Sequence, residues 1–310
     1  FKNERHILYE FINHYISEGI DCLFLIDDNS EDNYRDIHKQ WLQPLIDSGK
    51  VVFIQMTARG SSKQANEYNF HLEKVQQFDW VHVCDLDEFS FAVPKDHNNN
   101  TIKKILNNNM SKYDYITIDW KIFSHKSNYF QPKSVIHDNI FTYSQKTHKY
   151  CLGKGRKYFA RTKNISGMGI HTCNFITTNN HIHLPYYNDS IQINHYRTQS
   201  EEYLRGVKEI RGGLIHHYKY RNYKENDLCN QKCILLSMKR KKLIAQIRSM
   251  IQVKPQLYVE SSFYLENKHK YLNQNTSKED DKYLTSDPDT RSKFIENNIQ
   301  LEIFKDNLPL

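Results

Sequence analysis

Apolar residues in the first part of the chain follow two alternating patterns. Ile7, Leu8, Phe11, Ile12, Tyr15 and Ile16 recur at helical spacing, which predicts a helix over residues 4–18 that Gly19 stops. Cys22–Ile26 is a short continuous apolar run and reads as a strand, followed by the polar loop Asp27-Asp28-Asn29-Ser30-Glu31-Asp32. A helix is predicted from about Asn33 to Ile46, then a strand over Val51–Gln55, a helix over Ser61–Phe78 and a strand over Trp80–Cys84. Strands this apolar have no wet face. The alternation therefore predicts an α/β fold with a mostly parallel, Rossmann-like sheet flanked by helices.

A short helix over Thr101–Leu106 and a strand over Tyr115–Trp120 come next. From about Phe123 to Tyr187 the periodicity weakens, and aromatic and β-branched residues mix with Gly153, Gly155, Gly167 and Gly169. That mixture suits short antiparallel strands and site loops. Ile191–His195 reads as a strand and Ser200–Ile210 as a helix closed by Gly212-Gly213. The remainder is polar and helical. The expected organisation is a catalytic domain over residues 1–213 and a helical C-terminal extension over residues 214–310.

Aromatic residues make up 13% of the chain, enough for a real core and against global disorder. The formal charge of +7 suits an anionic ligand, a phosphorylated carrier or an acidic membrane surface. The basic helix at residues 234–251 contains Lys239-Arg240-Lys241-Lys242 and offers a possible peripheral membrane contact; its apolar face suits packing on the domain equally. Of the 6 cysteines, Cys22 and Cys84 fall in predicted core strands, and Cys229-x-x-x-Cys233 lacks the partners of a zinc site. No apolar run approaches the ~18 residues of a membrane span, and no signal peptide is visible. The expectation is a cytoplasmic protein, membrane-associated if the basic helix binds lipid. A secretory lumen is expected instead if an N-terminal anchor precedes Phe1.

The chemistry concentrates at strand ends. Val81-His82-Val83-Cys84 runs straight into Asp85-Leu86-Asp87-Glu88. Open α/β sheets bind ligands at the carboxyl ends of their strands. Two carboxylates two residues apart can grip a hard divalent cation that keeps room for phosphate oxygens. Asp27 and Asp28 lie at a second strand end, where a carboxylate can accept from a base or ribose edge. The same loop also suits an Asx-turn leading to a helix cap. Lys2-Asn3-Glu4 precedes a helix N-terminus, which favours an anion; Glu4 also suits first-turn capping.

In chain order, these motifs resemble the glycosyltransferase family 92-like and family 2-like proteins of the GT-A fold. The resemblance runs from Lys2-Asn3-Glu4 and Glu10–Tyr15 through Asp27–Asp32, Gln64, Tyr68-Asn69, Asp85–Phe89 and Trp120–Phe123. It ends at Asn194-His195-Tyr196-Arg197 and Arg211-Gly212, and so covers about residues 1–213. It implies a metal-dependent glycosyltransferase that moves a sugar, by family analogy galactose, from a UDP-sugar donor to a glycan, glycoprotein or glycolipid acceptor, with inversion and without nucleic acid. It implies Mn²⁺ or Mg²⁺ on Asp85 and Asp87, with His195 as a candidate third ligand. Lys2, Glu4, Asp27, Asp28 and Asp85 would meet the nucleotide or its diphosphate, and Arg197 or Lys208 would neutralise the leaving diphosphate. Asp119 and Asp138 are the candidate general bases, and Trp120 and Phe123 could stack on a sugar. The competing readings are a retaining transferase and a non-catalytic carbohydrate- or nucleotide-binding module on the same fold.

Overall fold

The computed structural model describes residues 1–60, 62–94, 100–125, 132, 134–142, 155–177, 180–200, 203–208 and 231–253. All of them fall in the first of two compact units, Phe1–Phe263, the second being Tyr264–Leu310. The chain begins with helix α1 (Arg5–Ser17), strand β1 (Leu23–Asp27), α2 (Tyr34–Asp47) and β2 (Val51–Gln55). Next come α3 (Lys63–Phe70), α4 (Leu72–Val75), β3 (Trp80–Val83) and β4 (Glu88–Ala92). The helix predicted over Ser61–Phe78 is thus divided at His71, where the backbone leaves helical geometry.

The central strand is β5 (Tyr115–Ser124). Its first half lies between β7 (Arg156–Arg161) and β10 (His181–Leu184), its second half between β6 (Phe141–Thr142) and β11 (Ile191–His195). β4 closes one side by pairing with β11, and β3 the other by pairing with β7. The hairpin of β8 (Ile165–Met168) and β9 (Cys173–Phe175) stands apart, and β12 (Gln231–Lys232) extends β6. Helices flank this sheet, as expected for an α/β fold. The pairs β1–β2, β5–β10 and β5–β11 are parallel, and the others are antiparallel. The antiparallel share comes largely from the short strands expected between Phe123 and Tyr187. It also comes from β4, which the apolar pattern did not separate from the strand before it.

Helix α1 shows why the early periodicity matters. Ile7, Leu8, Phe11, Ile12 and Tyr15 are all buried and pack on Phe89 and Phe91 of β4. Full burial of one such side chain contributes ~2 kcal/mol. Tyr15 adds direction, because its hydroxyl donates to the Glu88 carbonyl at 2.9 Å and accepts from the Ser90 amide at 3.0 Å. The core of α1 therefore holds the strand that leaves the acidic motif.

Two short helices, α5 (Ile102–Lys104) and α6 (Val135–Asp138), start on the side-chain caps Thr101 and Ser134. A π turn, Ile105–Asn109, continues α5. The basic helix forms two pieces, α7 (Leu235–Lys239) and α8 (Lys241–Val253), broken at Arg240. Leu236, Leu243, Ile244 and Ile247 are buried. Arg240 donates to Glu18 and, through Nε at 3.0 Å, to His14, while Lys239 Nζ lies 2.6 Å from Glu18. Half of the basic run is thus turned inward against α1, and only Lys241 and Lys242 are exposed. Among the described residues, no helix is long and apolar enough to cross a membrane.

Candidate active site

The opening turn and the loop after β1 are interlocked. The Asn3 amide donates to Ser30 Oγ at 3.0 Å, and the Glu31 amide donates to Asn3 Oδ1 at 2.8 Å. The Arg5 amide donates to Asp32 Oδ2 at 2.8 Å. Asn3 and Asn29 both take left-handed backbone geometry, with φ of 54° and 57°, which asparagine tolerates better than most side chains. The two neighbouring aspartates divide the roles that the sequence left open. Asp27 is buried and makes the turn, accepting from the Ser30 amide and the Tyr34 hydroxyl. Asp28 lines the main cavity and is paired with Lys63 at 2.5 Å. Glu4 also lines the cavity and accepts from the Tyr203 hydroxyl; its side chain makes no helix-capping bond.

Asp85-Leu86-Asp87 forms the turn between β3 and β4. The Asp85 amide donates to Glu88 Oε2 at 2.8 Å and the Glu88 amide to the Asp85 carbonyl at 3.0 Å, while Leu86 is buried. Pairing of β4 with β11 sets Glu88 opposite His195, and the Tyr196 amide donates to the Asp87 carbonyl at 2.8 Å. The late Asn-His-Tyr motif is therefore a β11 device that brings His195 to the acidic turn. Asn194 and Tyr196 bond to each other at 2.9 Å and serve the strand itself.

Each aspartate has a lysine. Lys157 of β7, with no exposed surface, lies 3.0 Å from Asp85 and 3.3 Å from Glu88. Lys208 lies 2.5 Å from Asp87 Oδ2, and His195 Nε2 lies 3.5 Å from Asp87 Oδ1. Burial opposes ionisation of Asp87, but Lys208 and His195 outweigh it and hold the carboxyl below its usual range. Burial drives the Glu88 carboxyl well above the ordinary value, with Lys157 opposing and Asp85 and Asp87 adding to the rise. Asp85 is the more open of the pair, its side chain 41% exposed against 6% for Asp87.

A cavity of about 880 Å³ gathers these groups. Lys2, Glu4, Asp28, Asp85, Asp87, His195, Arg197 and Lys208 all line it, together with Lys63, Gln64 and Tyr68 of α3. Residues of β1 and β3 also line it. Asn69, the neighbour of Tyr68, exchanges two bonds with the Met168 backbone, at 2.8 and 2.7 Å, and so fixes α3 against β8. Asp119 and Asp138 do not line the cavity: Asp119 faces His183 at 3.4 Å and Asp138 faces His137 at 2.6 Å. Phe123 is buried, and the Trp120 ring sits 4.4 Å from His195 and 5.4 Å from His171. The motifs missed Lys63 of α3, and they also missed Lys157. Its signal was a lone lysine within the aromatic strand sequence Arg156-Lys157-Tyr158-Phe159.

Asp85 and Asp87 both line the cavity; Lys157 holds Asp85 through Oδ2, while His195 and Lys208 face the two oxygens of Asp87. Among the described residues, no three acidic, histidine or cysteine side chains are spaced to close on one ion. Two carboxylates suffice for a hard cation that draws its other oxygens from water and a diphosphate. The residues present fit that kind of group.

The fold is α/β, and its cavity brings paired carboxylates together with lysine, arginine and histidine side chains. Residues 1–241 match glycosyltransferase family 92, and the chain belongs to that family. It is a nucleotide-sugar-dependent glycosyltransferase. No curated protein matches it. Among solved structures, a mannosyltransferase, PcManGT from Pyrobaculum calidifontis in complex with GDP-Man and Mn²⁺, is similar over 88% of this chain and 85% of that one. Identity to it is 12% and the TM-score 0.37.

Proposed function

We propose that the protein moves a sugar, with galactose the first candidate, from a UDP-sugar to a hydroxyl of a glycan, glycoprotein or glycolipid, with inversion. The observation that carries this reading is the convergence of Asp85, Asp87, His195, Arg197 and Lys208 on one cavity with Asp28 and Lys63. A Mn²⁺ or Mg²⁺ ion held by Asp85 and Asp87 would offset the charge that develops on the leaving diphosphate. The chain's own part is preorganisation. Lys157 fixes Asp85, the β11 register fixes Asp87 and His195, and Arg197, Lys2 and Lys208 supply positive charge to the same cavity. Asp28 and Lys63 suit the nucleoside end. Neither Asp119 nor Asp138 is kept as the base, because neither reaches this cavity.

A panel of UDP-sugars with Mn²⁺ or with EDTA, for wild type and Asp87→Ala, tests the reading. Metal-dependent release of UDP from one donor, lost in the variant, is the expected result. Release that ignores EDTA and the substitution would overturn it, as would the absence of any metal-dependent UDP binding.

A further inference from the structure

Lys157 and Lys208 both neutralise the acidic turn, but their surroundings differ. Lys157 is wholly buried and shared between Asp85 and Glu88, so its ammonium is held by two carboxylates at once. Lys208 lies on the cavity wall, and its described partners are Asp87 at 2.5 Å and the Tyr203 ring at 5.5 Å. It takes Asp87 Oδ2, the second oxygen of a carboxylate whose Oδ1 already faces His195. Asp87 is 4% exposed. A carboxylate buried to that degree is costly without a cation, so some positive group must stand beside it at every stage.

We propose that Lys208 is an exchangeable placeholder cation. It holds Asp87 while the cavity is empty and releases that carboxylate when a divalent cation takes it. It then turns its ammonium to the diphosphate of the donor. This rests on the reading of the protein as a metal-dependent, nucleotide-sugar-using transferase. Charge dictates the order of events. A divalent cation next to Asp87 satisfies the buried carboxylate and repels the ammonium, and a diphosphate in the same cavity gives that ammonium a new partner. Lys157 cannot exchange in this way, because leaving would strip Glu88 as well as Asp85. The two lysines are thus a static and a mobile counter-ion for one acidic turn.

The test measures two affinities that the placeholder couples in opposite senses. Mn²⁺ binding to the nucleotide-free protein is read from the free-ion paramagnetic resonance signal. UDP binding at saturating Mn²⁺ is read by calorimetry. In Lys208→Met the competitor for Asp87 is gone, so Mn²⁺ alone binds about tenfold tighter, while UDP binds the Mn²⁺-loaded protein about tenfold weaker. A variant in which both affinities fall, or in which neither changes, overturns the proposal. Should the Met variant not fold, Lys208→Gln keeps a polar end and is held to the same two readings. A wild type that binds neither Mn²⁺ nor UDP removes the transferase reading itself. A wild type that binds both, without the opposed shifts in the variant, removes only the placeholder role.

Discussion

Lys157 of β7 and Glu88 of β4 face each other at 3.3 Å with neither side chain exposed. The pair joins two strands that share no ladder, because β7 pairs with β3 and β5 while β4 pairs with β11. Burial and the neighbouring Asp85 and Asp87 push Glu88 toward its neutral form, and Lys157 is the cation that opposes them. Removing one member of a buried pair costs more than the pair is worth. Lys157→Met therefore destabilises the protein by about 3–5 kcal/mol in urea unfolding. The double variant Lys157→Met, Glu88→Gln recovers part of that loss. Equal losses in the single and double variants would contradict the pairing.

Glu10 makes stability depend on pH. It is buried and accepts from Ser134 Oγ and from the Val135 and Ile136 amides at the start of α6. Burial raises its carboxyl from 4.5 to about 7 against these hydrogen bonds, with Asp138 adding to the rise. The folded state keeps this proton at a pH where the unfolded chain has lost it. The contribution of protonated Glu10 is therefore full below pH 4.5 and is lost as pH rises through 7. The loss is on the order of 3 kcal/mol. Chemical denaturation of wild type and Glu10→Gln from pH 4 to 8 isolates it as the difference between the two curves. A difference that does not move with pH would contradict the assignment.

Arg240 and Lys239 converge on Glu18, which also accepts from the Ala92 and Ile102 amides at 3.1 and 3.0 Å. Arg240→Ala leaves that buried carboxylate with less charge to balance it and is expected to lower stability by about 2–4 kcal/mol. Lys241→Ala and Lys242→Ala, on the exposed side, are expected to stay within about 0.5 kcal/mol. Thermal unfolding separates the two classes. A membrane role for the basic run would rest on Lys241 and Lys242, so liposome binding that survives their joint neutralisation argues against that role.

Gly155 leaves space that Trp120 fills. A Cβ there would fall 1.8 Å from the indole ring, and the ring cannot retreat without disturbing His195 at 4.4 Å. Gly155→Ala is expected to cost about 1–3 kcal/mol and to change the tryptophan emission. A stable variant with an unchanged spectrum would contradict this packing.

Much of this site could be read in the sequence because its parts sit at strand ends. Val51–Gln55 and Ile191–His195 are strands at the predicted bounds, and α1 shows the predicted buried face. Asp85, Asp87, Asp28, Lys2 and Glu4, all singled out from their places in the chain, line one cavity. What stayed hidden depended on pairing between distant segments. β4 follows β3 after a tight turn, and no periodicity marks a strand that bends back within four residues. The predicted helix over Ser200–Ile210 is seen in part, as a π turn over Leu204–Lys208. Nothing local could tell that Lys157 would meet residues about 70 positions earlier, since a salt bridge of that span is fixed only by the sheet register.

The most direct test of the account is UDP binding measured by calorimetry with Mn²⁺ and with EDTA, in wild type and in Asp85→Asn. Asp85 is chosen because its carboxylate is the open one, and thermal unfolding checks that the variant is folded. Wild type is expected to bind UDP with Mn²⁺ and to lose that binding in EDTA. The variant is expected to bind at least about tenfold more weakly with Mn²⁺ present. A folded variant that binds as well as wild type, or a wild type indifferent to EDTA, would contradict the assignment of the acidic turn as the metal and diphosphate site.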